Sequence, residues 1–197
     1  IYVVTVVNPD GSTTISNIPV TFSGAEVLRE VVSRFELPTD AIDYIIGGNA
    51  VGGGGNITRL AALSAGFPER IPAVTLDLQC GSALEAISAA AAKIESGMAD
   101  LVIAGGMESS SVQPYRMMSP NHPEYDGGKV YTVAQFVPGK RGEQVMLEGA
   151  EETAIRENVS KEEMDTWVLR SHKRAAQARK EGILEDITVS IDGSSRD

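Results

Sequence analysis

A chain of 197 residues with 27 acidic against 17 basic side chains carries a formal charge of −10, and its lack of a Lys/Arg cluster excludes a nucleic-acid surface and leaves no evident cradle for phosphates. Its length suffices for the core of one domain with an appendage, while no apolar run approaches membrane-spanning length. A single cysteine excludes an intrachain disulfide, and with no basic leader before Ile1–Val7 the chain is expected in a reducing, cytoplasmic setting.

The first predicted element is the β-branched run Ile1–Val7, a strand, followed by the turn residues Asn8-Pro9-Asp10-Gly11. Ser23-Gly24-Ala25-Glu26 has the capping-box pattern and is expected to open a helix that turns Val27, Leu28, Val31 and Val32 inward. Asp43–Ile46 reads as a short strand, Gly52–Gly55 as a loop, and Ile57–Ala65 as a helix with Leu60 and Leu63 on its apolar side. Between Ile71 and Leu78 the apolar residues Val74, Leu76 and Leu78 alternate, the period of a half-buried strand. An alanine-rich helix from Gly81 to Gly97 follows, with Leu84, Ile87, Ala91 and Ile94 sharing a face expected to be buried, and then the strand Leu101–Ala104. From Ser109 to Arg141 no period is legible, so a long loop is expected. Helices over Glu143–Arg156 and Lys161–Glu181 come next, the second opened by the capping box Ser160–Glu163 and stopped at Gly182. Ile187–Ile191 reads as a final strand. The alternating order implies an α/β fold, a mainly parallel sheet covered by helices, with an α-rich segment after it.

Cys80 lies where the strand turns into the alanine-rich helix. A thiol there meets the positive end of the helix dipole and backbone N–H groups without intrahelical partners. Both favour the thiolate, which is the nucleophilic form. The competing reading is a small buried apolar side chain, the commoner fate of a free cysteine. Other features point away from chemistry. A P-loop ends in Gly-Lys-Ser/Thr, whereas Asn56-Ile57-Thr58 follows the four glycines. His122 and His172 are far apart in sequence from each other and from Cys80, so no metal site is expected. Glu108, ending a predicted strand near Cys80, is open to reading as a general base.

Leu78-Gln79-Cys80-Gly81-Ser82-Ala83-Leu84, followed by Ile103-Ala104-Gly105-Gly106-Met107-Glu108-Ser109, resembles the thiolase family. Gly47-Gly48-Asn49, Asn56, Arg59 and Ala61-Ala62 upstream fit the same pattern, as do Gly97–Asp100, Met146–Glu152 and Ser171–Ala175. The resemblance implies a thiolase-like N-terminal half over residues 1–108 and a truncated, substrate-covering loop domain over 109–197. It implies an acyltransferase of acyl- and acetyl-coenzyme A, with Cys80 as the acyl-accepting nucleophile and its backbone N–H as an oxyanion donor. The chemistry is reversible condensation of acyl-coenzyme A with acetyl-coenzyme A, or thiolysis of 3-ketoacyl-coenzyme A, within fatty acid metabolism. Coenzyme A thioesters enter as substrates, no bound cofactor or metal is implied, and Glu108 is implied to be a structural carboxylate bonded to backbone. The family's histidine, second cysteine and asparagine belong to a C-terminal half with no match here, so turnover is expected to need that half in cis or as a separate chain. Where the family often has a histidine before a Met-Gly pair, this chain has Val145, Met146 and Leu147, which implies a more apolar substrate contact. A homodimer or homotetramer is expected, because an isolated half leaves an apolar face exposed. Two other readings share these residues: a related condensing enzyme of ketoacyl-synthase or hydroxymethylglutaryl-coenzyme A synthase type, and a thiolase-like binding or assembly protein without turnover.

Overall fold

The computed structural model describes residues 20–133, 135, 137–139, 142, 144–183, 185–189 and 191. Two compact units emerge, one within Ile1–Pro114 and Ile187–Asp197, the other within Tyr115–Asp186. The expected strand Ile1–Val7 and the turn after it lie outside the described residues.

In the first unit, strand β1 (Tyr44–Gly48) pairs in parallel with β2 (Ala73–Leu76) on one side and with β3 (Val102–Gly106) on the other, giving the order β2-β1-β3. The central strand is buried on both faces, and its successive side chains alternate between two clusters. Ile45 joins Leu28, Ala61 and Phe67, whereas Ile46 joins Ala86 and Ala90. The first cluster lies beneath α1 (Val20–Arg34) and α2 (Ile57–Ser64), the second beneath α3 (Ser82–Glu95). The chain steps from β1 outward to β2 and then back across β1 to β3. Crossovers of one hand then place α2 and α3 on opposite faces of the sheet.

The ends of β1 and β3 carry no side chains, which decides how closely the helices approach. In the register Gly47 stands beside Gly105, and Gly48 beside Gly106. A Cβ at Gly47 would run into the Thr58 side chain at the start of α2, with its Cγ2 2.9 Å away. A Cβ at Gly106 would stand 2.7 Å from the Ala83 Cβ at the start of α3. Both helices therefore begin pressed against bare backbone, one on each face.

This close approach corrects the expected face of α3. Its buried residues are Ser82, Ala86 and Ala90, spaced four apart along one narrow face, while Leu84 (64% exposed), Ile87 and Ile94 point to solvent. Only small side chains fit between a helix and a sheet this near. On α2 the small Thr58, Ala61 and Ala62 are likewise buried, with Ile57 at its first position, while Leu60 and Leu63 are exposed. Helix α1 begins at Val20, so Ser23 lies within it and does not cap it. Leu28 is its buried leucine, with Val32 packed partly against the same cluster. The strand expected to reach Leu78 ends at Leu76, and Leu78 is exposed.

The second unit holds a two-residue antiparallel ladder, β4 (Arg116–Met117) against β5 (Val130–Tyr131), within the segment expected to be loop. It also holds α4 (Val145–Arg156) and α5 (Lys161–Lys180). The capping box at α5 forms as expected, with the Ser160 hydroxyl accepting from the Glu163 N–H and the Glu163 carboxylate accepting from the Ser160 N–H. Gly182, at φ +68°, follows its end. The expected last strand is absent among the described residues, because Glu185–Ile187 forms a single 3-10 turn and residues 188, 189 and 191 join no strand. No helix among the described residues is long and apolar enough to cross a membrane.

Candidate active site

Cys80 is exposed and stands two residues before α3, above the carboxyl end of the parallel sheet. That edge is where ligands bind in open α/β folds. The chain reverses there in a tight turn, with the Gly81 N–H donating to the Leu78 carbonyl at 3.0 Å and the Ser82 N–H to the Gln79 carbonyl at 3.1 Å. Gln79 takes a positive φ of +51°, a left-handed conformation that costs a non-glycine residue about 1–2 kcal/mol. Two short polar side chains hold it. Asp77 Oδ1 accepts from the Gln79 N–H at 2.9 Å. Ser82 Oγ accepts from the Leu78 N–H at 2.8 Å and donates to the Gln79 carbonyl at 2.6 Å. Gly81, the residue capping α3, has no side chain to bond the helix start, so the first helical residue, Ser82, grips the turn instead.

The loop after β1 is tied to the end of β3 by Glu108. One carboxylate oxygen accepts from the Ala50 and Val51 N–H groups at 2.9 and 3.0 Å. The other accepts from Asn49 Nδ2 at 2.8 Å. Asn49 Nδ2 also donates to the Met107 carbonyl, and Asn49 Oδ1 accepts from the Gly52 N–H. Glu108 thus holds two strand ends together, through backbone groups and the Asn49 amide, the structural role that the resemblance implies. The glycine run leads from this knot into α2, which is capped by Asn56 in a left-handed conformation at φ +56°. Asn56 Nδ2 donates to the Ala73 carbonyl at 2.9 Å. The Thr58 N–H donates to Thr75 Oγ1 at 3.0 Å, and the two threonine hydroxyls lie 2.9 Å apart. Arg59 donates to the Ile71 and Glu69 carbonyls, which fixes the segment that delivers β2 and then Cys80.

The remaining candidates stand elsewhere. Asp43, before β1, accepts from the Asp100 and Leu101 N–H groups at 2.7 and 3.1 Å. Those bonds hold its carboxyl below the ordinary range, the Asp100 N–H having the larger effect. His122 Nδ1 accepts from the Glu124 N–H within a turn of the second unit, and His172 is exposed on α5. Among the described residues no group of three His, Cys, Asp or Glu could hold a metal ion. Val145, Met146 and Leu147 form the first turn of α4, with Met146 and Leu147 exposed. The turn-holding roles of Asp77 and Ser82 were not anticipated. Their signal is an Asp and a Ser flanking the strand-to-helix junction, residues whose short side chains compete for nearby backbone groups.

The family model for Thiolase, N-terminal domain, matches residues 3–197. YhfS of Bacillus subtilis (strain 168), which bears an acetyl-CoA C-acetyltransferase name, is 39% identical over 167 residues, covering 85% of this chain and 41% of its own length. VraB of Staphylococcus aureus (strain MSSA476), named in the same way, is 39% identical over 172 residues, covering 85% of this chain and 43% of its own. The crystal structure of the Bacillus anthracis acetyl-CoA acetyltransferase matches with a TM-score of 0.81 at 27% identity, covering 98% of this chain and 49% of that one. The chain therefore spans less than half the length of these relatives.

Proposed function

This chain belongs to the thiolase family, whose N-terminal domain it carries, and we propose that Cys80 is the acyl-accepting nucleophile of a thiolase-type acyl transfer between coenzyme A thioesters. The observation that carries the reading is an exposed thiol held at the start of a helix, at the carboxyl edge of a parallel sheet. The Cys80 thiolate attacks the thioester carbonyl and forms the carbon–sulfur bond. The tetrahedral intermediate collapses, and coenzyme A leaves as its thiolate and takes a proton. The α-carbanion of a second acyl-coenzyme A then attacks acyl-Cys80, forming the carbon–carbon bond and releasing the Cys80 thiolate; thiolysis is the reverse. Negative charge develops on the carbonyl oxygen in each half, and a backbone N–H aimed at it lowers the barrier. The Cys80 N–H is the donor we assign to that task.

Deprotonating the α-carbon needs a base, and this sequence has no second cysteine to serve. We assign that step to a C-terminal half, in the same polypeptide or in a partner chain, so this chain alone does not turn over. Residues 109–197 act as the substrate-covering segment, with Val145, Met146 and Leu147 offering an apolar contact to the acyl or pantetheine end. The exposed Leu84, Ile87 and Ile94 support association into a homo-oligomer. A place in cytoplasmic fatty acid metabolism belongs to the same proposal.

The test is mass mapping after brief exposure of the natural gene product to acetyl-coenzyme A. An acetyl adduct on the peptide bearing Cys80, absent from the Cys80→Ala variant, is the expected result. An unmodified Cys80 with acetate produced elsewhere overturns the assignment.

A further inference from the structure

We infer that Ser82 is a positioning residue for acyl transfer, which aims the backbone N–H of Cys80 by holding the peptide unit between Gln79 and Cys80. The inference rests on the reading of Cys80 as the nucleophile and adds a residue that acts through it.

The turn from Leu78 to Gly81 is closed by one hydrogen bond between its ends. That bond leaves the central peptide unit, the one joining Gln79 to Cys80, free to rotate, and such a flip interconverts turn types that share the same ends. In this chain the flip is blocked from one side. The Gln79 carbonyl accepts from both the Ser82 hydroxyl, at 2.6 Å, and the Ser82 N–H, at 3.1 Å. A trans peptide is planar, so its carbonyl and its N–H point in opposite directions. With the Gln79 oxygen held toward Ser82, the Cys80 N–H is held away from it.

The same hydroxyl accepts from the Leu78 N–H at 2.8 Å, so it grips the turn on both sides of Gln79. Ser82 itself cannot drift. It is only 5% exposed, and its backbone lies against Gly48 at the end of β1. The hydroxyl thus transmits the fixed position of the sheet to one peptide plane, that of the oxyanion donor. The left-handed Gln79 is the distortion that this grip maintains.

Two reactions at Cys80 separate this role from a general structural one. Acylation by acetyl-coenzyme A builds negative charge on a carbonyl oxygen and needs the N–H donor. Alkylation by iodoacetamide is a displacement at carbon and builds no oxyanion. In the natural gene product, Ser82→Ala is expected to slow acylation of Cys80 by about ten- to a hundredfold, below the loss seen when an oxyanion donor is removed outright. The rate of alkylation, and its dependence on pH, is expected to stay within about twofold of the parent, since exposure of the thiol and its surroundings are retained. Equal slowing of both reactions, or of neither, overturns the inference. Should Ser82→Ala fail to fold, Ser82→Cys keeps the shape and weakens both bonds, with peptide mapping assigning the adduct to Cys80; it carries the same expectation. A parent protein that is alkylated at Cys80 but never acylated there overturns the nucleophile assignment itself.

Discussion

Gly48 and Ser82 meet with no space for a side chain between them: a Cβ on Gly48 would stand 2.5 Å from the Ser82 carbonyl carbon and 2.8 Å from the Ser82 Cβ. The neighbouring Gly105 has open space at the same position. Gly48→Ala should therefore lower stability by about 1–3 kcal/mol, the usual penalty of overpacking, whereas Gly105→Ala should leave it unchanged or raise it by about 0.5–1 kcal/mol by restricting the unfolded chain. Urea midpoints of the two variants check this, and equal midpoints would refute the close packing of α3 on β1.

The orientation of α3 yields a second contrast. Ala86 is 0% exposed, whereas Leu84 is 64% exposed. Ala86→Leu should destabilise this chain by about 1–3 kcal/mol, and Leu84→Gln should shift it by no more than about 0.5 kcal/mol. Thermal melts of both decide the matter. A large loss at position 84 with tolerance at 86 would restore the face expected from the sequence.

Thr75 tests the bond network that starts α2. Its hydroxyl accepts from the Thr58 N–H and lies 2.9 Å from the hydroxyl of Thr58, which is 0% exposed. Thr75→Val keeps the shape and leaves those buried groups without their partner, so a loss of about 1–3 kcal/mol is expected in denaturant titration. A midpoint equal to that of the parent would mean the hydroxyl contributes nothing.

Asp43 contributes to the acid limb of stability. Its carboxyl is held below the ordinary value of 3.8 by the Asp100 and Leu101 N–H groups. A depressed folded value means the bonds stabilise the fold fully above the unfolded value and are lost as pH falls through the folded one. Glu163 shifts in the same direction from 4.5, chiefly through the Ser160 N–H. The gap in melting temperature between parent and Asp43→Asn should be constant near neutral pH and close below about pH 4. A gap that widens in acid would contradict the sign.

The sequence made the order of elements legible because each has its own period or punctuation: alternation at Val74 and Leu76, the capping box at Ser160, the stop at Gly182. It also put Cys80 at the strand-to-helix junction, whereas the nucleophile's role proposed for it comes from the resemblance of the residues around it, because placement alone does not separate a nucleophile from a small apolar side chain. The buried face of α3 was misread because periodicity follows bulk, and Leu84, Ile87 and Ile94 are bulkier than Ser82, Ala86 and Ala90. Which stripe faces the sheet is decided by the glycines of β1 and β3, residues distant in sequence. Ser23 has the capping residues without the cap because α1 begins three residues earlier. The two-residue ladder of β4 and β5 is too short to leave any pattern. The grip of Ser82 on Gln79 depends on a backbone reversal that a local propensity for turns does not specify.

The glycine pairs at the ends of β1 and β3 bear on the noise of the site as well as on its shape. A floor made of side chains hops among rotamers, and anything standing on it inherits those steps. The floor beneath the start of α3 is main chain held in a ladder, which vibrates but has no rotamers to exchange. The start of α3, and through the Ser82 grip the turn that carries Cys80, therefore rests on a floor that adds no rotamer exchange of its own.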